Sequence, residues 1–150
     1  MTKQNLQEEL KKSMLGKDEL RTSVLRLLLS AINYYEIQKG GAGYTASEDD
    51  VLTVIQSQVK QRRDSIEQFK NAGRSELADK ETKELEILNG FLPEQMSEEE
   101  ITKLVKDAVS KTGAKSITDM GKVMGVLMPA VKGKADGTLV SNIVKRELTS

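Results

Sequence analysis

The side chains that could do chemistry in this sequence are lysines, carboxylates, serines and tyrosines, because its 150 residues include no histidine and no cysteine. A Ser-His-Asp triad, a cysteine nucleophile and a zinc site built from His or Cys are therefore excluded. Carboxylates that hold Mg²⁺ remain conceivable. We predict no catalytic residue, no metal site and no cofactor.

Lysine and glycine cluster in "KGKADG", residues 132–137. The stretch is not a P-loop, because the Gly-x-x-x-x-Gly-Lys-Ser/Thr spacing is absent and no strand precedes it. Gly133 suits the end of one helix and Asp136 suits the N-cap of the next, so the local geometry requires only a turn. Lys132 and Lys134 flank that turn, and exposed lysines can meet phosphate oxygens without reading a base sequence. From the residues, a plain turn is favoured over a phosphate contact.

Charge is unevenly distributed along the chain although the net charge is zero. Residues 1–74 contain 12 basic and 10 acidic residues (+2), residues 75–100 contain 2 and 9 (−7), and residues 101–150 contain 9 and 4 (+5). A basic C-terminal part can indicate nucleic-acid binding, although a solvated helical surface gives similar counts. Without a long apolar run, a signal-like leader or cysteines, the chain is expected to be a soluble cytoplasmic protein.

The apolar periodicity is helical throughout, which predicts an all-α fold. The helices are predicted at residues 3–15, 18–38, 48–72, 76–89, 98–111, 117–131 and 137–148. Pro93 interrupts the pattern, and Ser97 with Glu100 forms a capping box directly after it. We therefore predict an N-terminal helical bundle or hairpin at 1–92 and a small three-helix tail domain at 96–150. The glycine-rich loop 39–47 is expected to be flexible.

Arg62 lies at the centre of the apolar stripe of the long third helix, where an arginine must be paired or must reach solvent. An antiparallel hairpin that turns at Gly73 brings Glu84 of the next helix nearest, with Glu81 as the second candidate. A structural ion pair between these two helices is favoured over a ligand site.

Glycines and methionines follow a four-residue spacing in the helix at 117–131. Gly121 and Gly125 each cost about 1 kcal/mol relative to alanine in a helix interior, so they suggest the close approach of another backbone. The stripe of methionines at 120, 124 and 128 is expected to fill a core, which is more usual than a groove for a partner.

Three segments in this order resemble the YqeY family: "VKQRRDSIEQFKNAGRSELADKE", "LNGFLPEQMSEEE" and "DMGKVMGVLMPAVKGKADGTLV". That family is the stand-alone relative of the C-terminal tail domain of the GatB subunit of the glutamine-dependent tRNA amidotransferase. The resemblance implies an all-helical fold and makes tRNA the leading expected partner. It does not carry catalysis, because the amidotransferase's active sites lie in other domains or subunits, and a carbon–nitrogen ligase activity would rest on association.

Three functions therefore remain open. The favoured one is a non-catalytic module that binds tRNA or another structured RNA, with contacts at Lys122, Lys132, Lys134 and Lys145. The second is a protein-interaction module that docks on an amidotransferase or an aminoacyl-tRNA synthetase through the acidic segment 75–100. The third is an enzyme that uses lysine and carboxylates. Aromatic residues make up only 3% of the chain, so any RNA would be bound by phosphate and shape contacts more than by base stacking.

Overall fold

The computed structural model describes residues 1–149 and is all-α, as predicted. The helices are α1 (Lys3–Leu15), α2 (Glu19–Gly40), α3 (Glu48–Asn71), α4 (Ser75–Asn89), α5 (Glu98–Thr112), α6 (Met120–Val131) and α7 (Gly137–Thr149), with a 3-10 turn at Ile117–Asp119 before α6. The described residues contain no strand, and none of their helices combines the length and apolar character needed to cross a membrane.

Capping residues account for many of the helix boundaries. Thr2, Ser47 and Ser97 each accept a hydrogen bond from the backbone three residues later, and the side chain at that later position accepts one from the backbone of the capping residue. These reciprocal bonds satisfy backbone donors that the first turn of a helix otherwise leaves unpaired. At the other end, Gly113 adopts a left-handed conformation (φ 66°) and stops α5.

The chain divides into two compact units, Met1–Leu92 and a second that begins at Pro93. In the first unit α1 packs on α2, and α3 pairs with α4 in a hairpin. Gly73 turns that hairpin with φ 72°, a conformation that favours glycine. The buried apolar residues of this unit are Leu6, Val24, Leu25, Leu28, Leu29, Ile32, Val51, Val54, Ile55, Val59, Leu88 and Phe91.

The second unit packs α5, α6 and α7 against one another. Its buried residues are Ile101, Val105, Ala108, Val123, Leu127, Val131, Ala135, Val140, Ile143, Val144 and Leu148. On α6 the fully buried positions recur every four residues, which is the inward face of an amphipathic helix. The methionine stripe is partly in this core: Met120 and Met124 pack against it half-buried, whereas Met128 is exposed.

The loop between α2 and α3 is more ordered than its glycine content predicts. Its tip, with Gly41 at φ 69° and Gly43 at φ 95°, is exposed. The second half is held to the helices: the Tyr44 hydroxyl donates to Asp50 at 2.6 Å, and the Ala46 N–H donates to Glu36 at 2.8 Å. The expectation of a flexible loop therefore applies only to the glycine tip, because a buried carboxylate at each end fixes the rest.

Candidate nucleic-acid interface

The "KGKADG" stretch forms the connection between α6 and α7. Gly133 has φ 77°, a left-handed conformation that residues with a side chain rarely adopt. This conformation lets the backbone turn directly after α6. The N–H groups of Lys134 and Ala135 both donate to the Val131 carbonyl, at 2.9 and 3.1 Å. Burial alternates along the stretch, with Gly133 and Ala135 inside and Lys132 and Lys134 outside. The two lysines are therefore presented on one solvent-facing edge of a fixed turn.

Asp136 begins α7 as its cap. Its carboxylate accepts a hydrogen bond from the Thr138 N–H at 3.0 Å, and its carbonyl accepts one from the Val140 N–H at 3.0 Å. These bonds satisfy donors of the first helical turn. Asp136 thus fixes the shape of the turn, and its side chain is used internally.

Two residues that the sequence reasoning missed hold this turn from outside. The Gln95 side chain donates to the Gly133 carbonyl at 2.8 Å, and the Met96 N–H donates to the Lys134 carbonyl at 2.8 Å. Both belong to the "FLPEQM" segment, which has no periodicity. The proline break in that segment is visible in the sequence, but its docking on a turn 38 residues away has no local signal. This bracing limits the motion of the backbone that carries Lys132 and Lys134.

The other two candidate lysines lie away from the turn. Lys122 is near the start of α6, about 15 Å from Lys132 along the helix at 1.5 Å per residue. Its ammonium lies 4.0 Å from Asp119, whose pKa is lowered mainly by a hydrogen bond from the Lys115 N–H and further by Lys122. Lys145 is exposed on α7, about 12 Å beyond the start of that helix. Only Lys132 and Lys134 are brought together by one structural feature.

Gly121 and Gly125 do not have the role predicted for them. Both are exposed on α6, and a Cβ added at either position would meet no atom within 4 Å outside the local helix backbone. The expectation of a closely packed second backbone is therefore wrong. Glycine spacing is a weak packing signal on this helix, because the buried face of α6 consists of Val123, Leu127 and Val131.

Arg62 is 9% exposed and points into the α3–α4 hairpin. Its Nη1 donates to Glu84 and, at 3.0 Å, to Glu81. Glu84 is itself 6% exposed, so this is a buried ionic contact with two carboxylates on one guanidinium. The Arg62 Nε is buried and has no hydrogen-bond partner among the described residues. The arrangement links α3 to α4.

Three ionisable side chains converge on Asp50 in the first unit. Its carboxylate accepts hydrogen bonds from Lys39 at 2.5 Å, the Tyr44 hydroxyl at 2.6 Å and the Tyr35 hydroxyl at 3.1 Å. A fourth donor is the Ser47 N–H at 3.0 Å. Lys39 above all, then Tyr44, holds the pKa of Asp50 far below its usual range, and Asp50 raises the pKa of Lys39. Both shifts fix the charged forms, so the cluster is suited to holding the loop and not to exchanging protons at neutral pH.

No group of three or more metal-binding side chains is close enough to hold an ion within residues 1–149. The molecule is thus an all-helical protein of two compact units, with internal ionic networks in the first and a braced, lysine-bearing turn in the second. A family model described as Yqey-like protein matches residues 3–148. The chain belongs to the YqeY family.

Several relatives among known proteins carry one common name, "Altered inheritance of mitochondria protein 41, mitochondrial". The protein of Pyrenophora tritici-repentis is 34% identical over 146 residues, which cover 93% of this chain and 77% of the relative. The protein of Saccharomyces cerevisiae strain YJM789 is 28% identical over 151 residues, which cover 95% of this chain and 80% of the relative. The protein of Lachancea thermotolerans is 39% identical over 88 residues, which cover 59% of this chain and 46% of the relative. Because these relatives are named as mitochondrial proteins, the prediction of a cytoplasmic location is contradicted.

Proposed function

We propose that this chain is a non-catalytic accessory module that binds structured RNA, with tRNA as the leading ligand. The observation that carries the proposal is the turn between α6 and α7, where Lys132 and Lys134 are exposed on either side of a buried glycine. Gln95 and Met96 brace the backbone of that turn. A preorganised pair of cations loses less conformational freedom on meeting phosphates than the same lysines on a mobile loop.

Charge and family resemblance support the same proposal. Residues 101–150 carry a charge of +5, from 9 basic and 4 acidic residues. The related tail domain of the amidotransferase's GatB subunit contacts tRNA, and this resemblance is the reason for placing tRNA before other RNAs. With aromatic residues at 3%, affinity would come from phosphate contacts, which carry no base sequence information.

The alternative of docking on a protein through the acidic segment 75–100 has weaker support in the geometry. Four of the nine carboxylates in that segment are engaged within the chain. Glu81 and Glu84 accept from Arg62, Glu98 lies 3.3 Å from Arg146, and Glu100 closes the capping box of α5. The charge that this segment offers to a partner is correspondingly smaller than the sequence count of −7 indicates.

The test is a salt titration of binding to a fluorescently labelled tRNA transcript, monitored by fluorescence anisotropy from about 50 to 200 mM salt. Each lysine that meets a phosphate releases condensed counterions. The Lys132→Ala/Lys134→Ala variant should therefore reduce the slope of log K against log salt by about 0.7–0.9 per contact. The loss should be similar for different tRNA species. Lys60→Ala/Arg63→Ala is the matched control, because it removes two exposed cations from α3 in the other unit.

Equal slopes for the wild type and the turn variant, or equal losses for the turn variant and the control, would contradict the proposal. So would absence of tRNA binding at the lowest salt. Asp136→Ala tests the shape of the turn, because it removes the cap of α7 and should cost about 1 kcal/mol of folding stability. Chemical denaturation of this variant measures that cost, and an unchanged stability would show that the cap contributes nothing.

A further inference from the structure

The exposed side of α2 is uncharged over three helical turns. From Leu27 to Gln38 the only charged residue is Glu36, which is buried and accepts hydrogen bonds from Lys3 at 2.7 Å and from the Ala46 N–H at 2.8 Å. In a chain with 31% charged residues, such an exposed face is unusual. Depletion of charge together with exposed aromatic and aliphatic side chains is the composition of the centre of a protein interface.

Large apolar side chains stand on this exposed side. Leu27 is 53% exposed, Tyr34 66% and Ile37 62%. With Ser30 they follow a 3-4-3 spacing, which places them in one row along the helix, and we call this row the α2 stripe. It is about 15 Å long at 1.5 Å per residue. That length matches three turns of a second helix lying alongside.

A groove with a volume of about 690 Å³ continues the α2 stripe at its N-terminal end. Met14 and Leu27 supply its apolar lining, and Lys17 and Arg26 supply positive charge. Glu19 also lines the groove, so its net charge is +1. Across residues 1–149 neither Lys17 nor Arg26 forms an ion pair with a carboxylate, and the Arg26 side chain donates to the Met14 sulfur at 4.0 Å.

Lys17 has an unusual backbone conformation for its type. It is the one non-glycine residue of the described chain with a positive φ, 55°, and it occupies the left-handed position after α1 where glycine is usual. The Lys17 and Asp18 N–H groups donate back to the Met14 and Ser13 carbonyls at 3.2 and 3.0 Å. A lysine here costs strain that glycine would avoid, and strain of this kind occurs at functional positions. This conformation therefore adds a second unusual feature to the groove.

Charge decides what could cover this surface. A second copy packed in parallel by two-fold symmetry would set Arg26 near its own equivalent. An antiparallel copy would set Arg26 against the C-terminal end of α2, where the exposed residues Gln38, Lys39 and Gly40 include a second cation and no carboxylate. Either arrangement sets the net positive groove against another positive surface, its own copy in the parallel case and Lys39 in the antiparallel case, which is unfavourable in an interface. A partner that brings its own carboxylate avoids this cost.

We propose that the α2 stripe and the adjoining groove bind an amphipathic helix of a partner protein. Apolar side chains of that helix at positions i, i+3 or i+4, and i+7 pack on Leu27, Tyr34 and Ile37, and an acidic side chain at one end meets Lys17 and Arg26. This is the helix-in-groove mode of recognition. The surface belongs to the first unit and does not depend on RNA binding by the second.

The test is selection from a displayed library of helical peptides on the full chain, with counter-selection on Tyr34→Lys/Ile37→Lys. Peptides that bind the wild type but not this variant should share apolar residues at helical spacing and an Asp or Glu toward one end. Synthetic versions should bind the wild type and lose affinity by about tenfold or more on the variant, since a buried aromatic anchor contributes at least that much. Ile117→Lys/Val126→Lys is the control, because it places lysines at two exposed apolar positions of the other unit. It should bind the peptides as the wild type does.

Three results would overturn the proposal. Selection could yield no helical peptide that binds the wild type better than Tyr34→Lys/Ile37→Lys. Sedimentation could instead show a dimer that Tyr34→Lys dissociates, which would assign the surface to a second copy. Lys17→Ala/Arg26→Ala could lower the salt slope of tRNA binding without affecting the peptides, which would assign the two cations to RNA.

Discussion

The two compact units differ in where their polar and charged side chains lie. The first unit buries six polar or charged side chains: Ser13, Thr22, Glu36, Asp50, Arg62 and Glu84. In the second unit, as far as residue 149, every buried side chain of the core is apolar. The second unit keeps its lysines on the surface instead. Charge thus serves internal geometry in the first unit, whereas the exposed lysines of the second unit are the residues on which the proposed RNA contact depends.

The buried polar groups of the first unit connect elements that the apolar core alone would not orient. The Asp50 cluster joins α2, the following loop and α3, and Glu36 joins α1 to that same loop. Arg62 joins α3 to α4. Apolar contacts are non-directional, whereas each of these bonds needs one geometry. Because buried ion pairs add little net stability, we expect these groups to fix the arrangement of the helices.

Among substitutions that test this difference between the units, Arg62→Ala is expected to lower the folding stability most. Arg62→Ala leaves Glu84 buried without its cation, and removal of one partner of a buried pair costs about 3–5 kcal/mol. Urea denaturation followed by tyrosine fluorescence measures the loss in the first unit, because all three tyrosines lie between residues 34 and 44.

Arg63→Ala is the matched control, since Arg63 is the exposed neighbour on the same helix and an exposed charge contributes about 1 kcal/mol or less. A cost for Arg62→Ala no larger than that for Arg63→Ala would show that the pair is not an internal link. Arg62→Ala combined with Glu84→Gln should recover part of the stability, because it removes the orphaned charge.

The next effect in size concerns Asp50 and depends on pH. The folded-state pKa of Asp50 is lowered from its ordinary 3.8, chiefly by the hydrogen bond from Lys39. The unfolded chain therefore binds this proton more readily, and the stabilisation is complete above the unfolded pKa and is lost as pH falls below it. The urea midpoint of the wild type should fall more steeply between about pH 5 and pH 2 than that of Asp50→Asn.

At neutral pH Asp50→Asn should itself be less stable than the wild type, because an amide cannot replace the charge that faces Lys39. Asp49→Asn provides a comparison at the neighbouring position in the first turn of α3. Parallel acid profiles for the wild type and Asp50→Asn would contradict the assigned role of Lys39, since the carboxylate would then titrate alike in both states.

Most of the helices were predictable because they carry local start or stop signals, although α4 begins after Arg74 without a side-chain cap. The predicted bounds of α1 and the predicted start of α3 coincide with the structure, and Ser47, Ser97 and several glycines mark the ends. The exception is α6, where a 3-10 turn occupies Ile117–Asp119 and the helix begins at Met120. A 3-10 turn at a helix start has the same apolar pattern as the helix, so periodicity does not separate them.

The candidate site was predictable only in part. Gly133 and Asp136 could be read as the ends of two helices because their local chemistry suffices. The hydrogen bonds from Gln95 and Met96 could not be predicted from the sequence. A single amide side chain and a backbone N–H leave no pattern in the sequence, and their partners lie 38 residues away. The Asp50 cluster was missed for a similar reason, because two tyrosines and a lysine from α2 and the loop converge on Asp50 only in the fold.

The smallest predicted effect concerns the second unit, where Gly121 and Gly125 of α6 are exposed. Gly125 lies in a helix and an added Cβ meets nothing within 4 Å, so Gly125→Ala should stabilise the unit by up to about 1 kcal/mol through helix propensity. Hydrogen exchange of the α5–α7 amides measures the gain. Gly121→Ala is the matched control, because its surroundings are equally open and no proline follows four residues later.

Pro129 makes the pair of variants informative. Its ring faces the carbonyl of the residue four positions earlier, which is Gly125, and it offers that carbonyl no N–H. A glycine at that position allows the backbone to adjust around the ring more freely than alanine does. If Gly121→Ala stabilises and Gly125→Ala destabilises, Gly125 serves to accommodate Pro129 near the end of α6, one turn before the lysine-bearing turn. If both stabilise by similar amounts, α6 tolerates the proline without help, and neither glycine contributes to the shape of the proposed RNA contact.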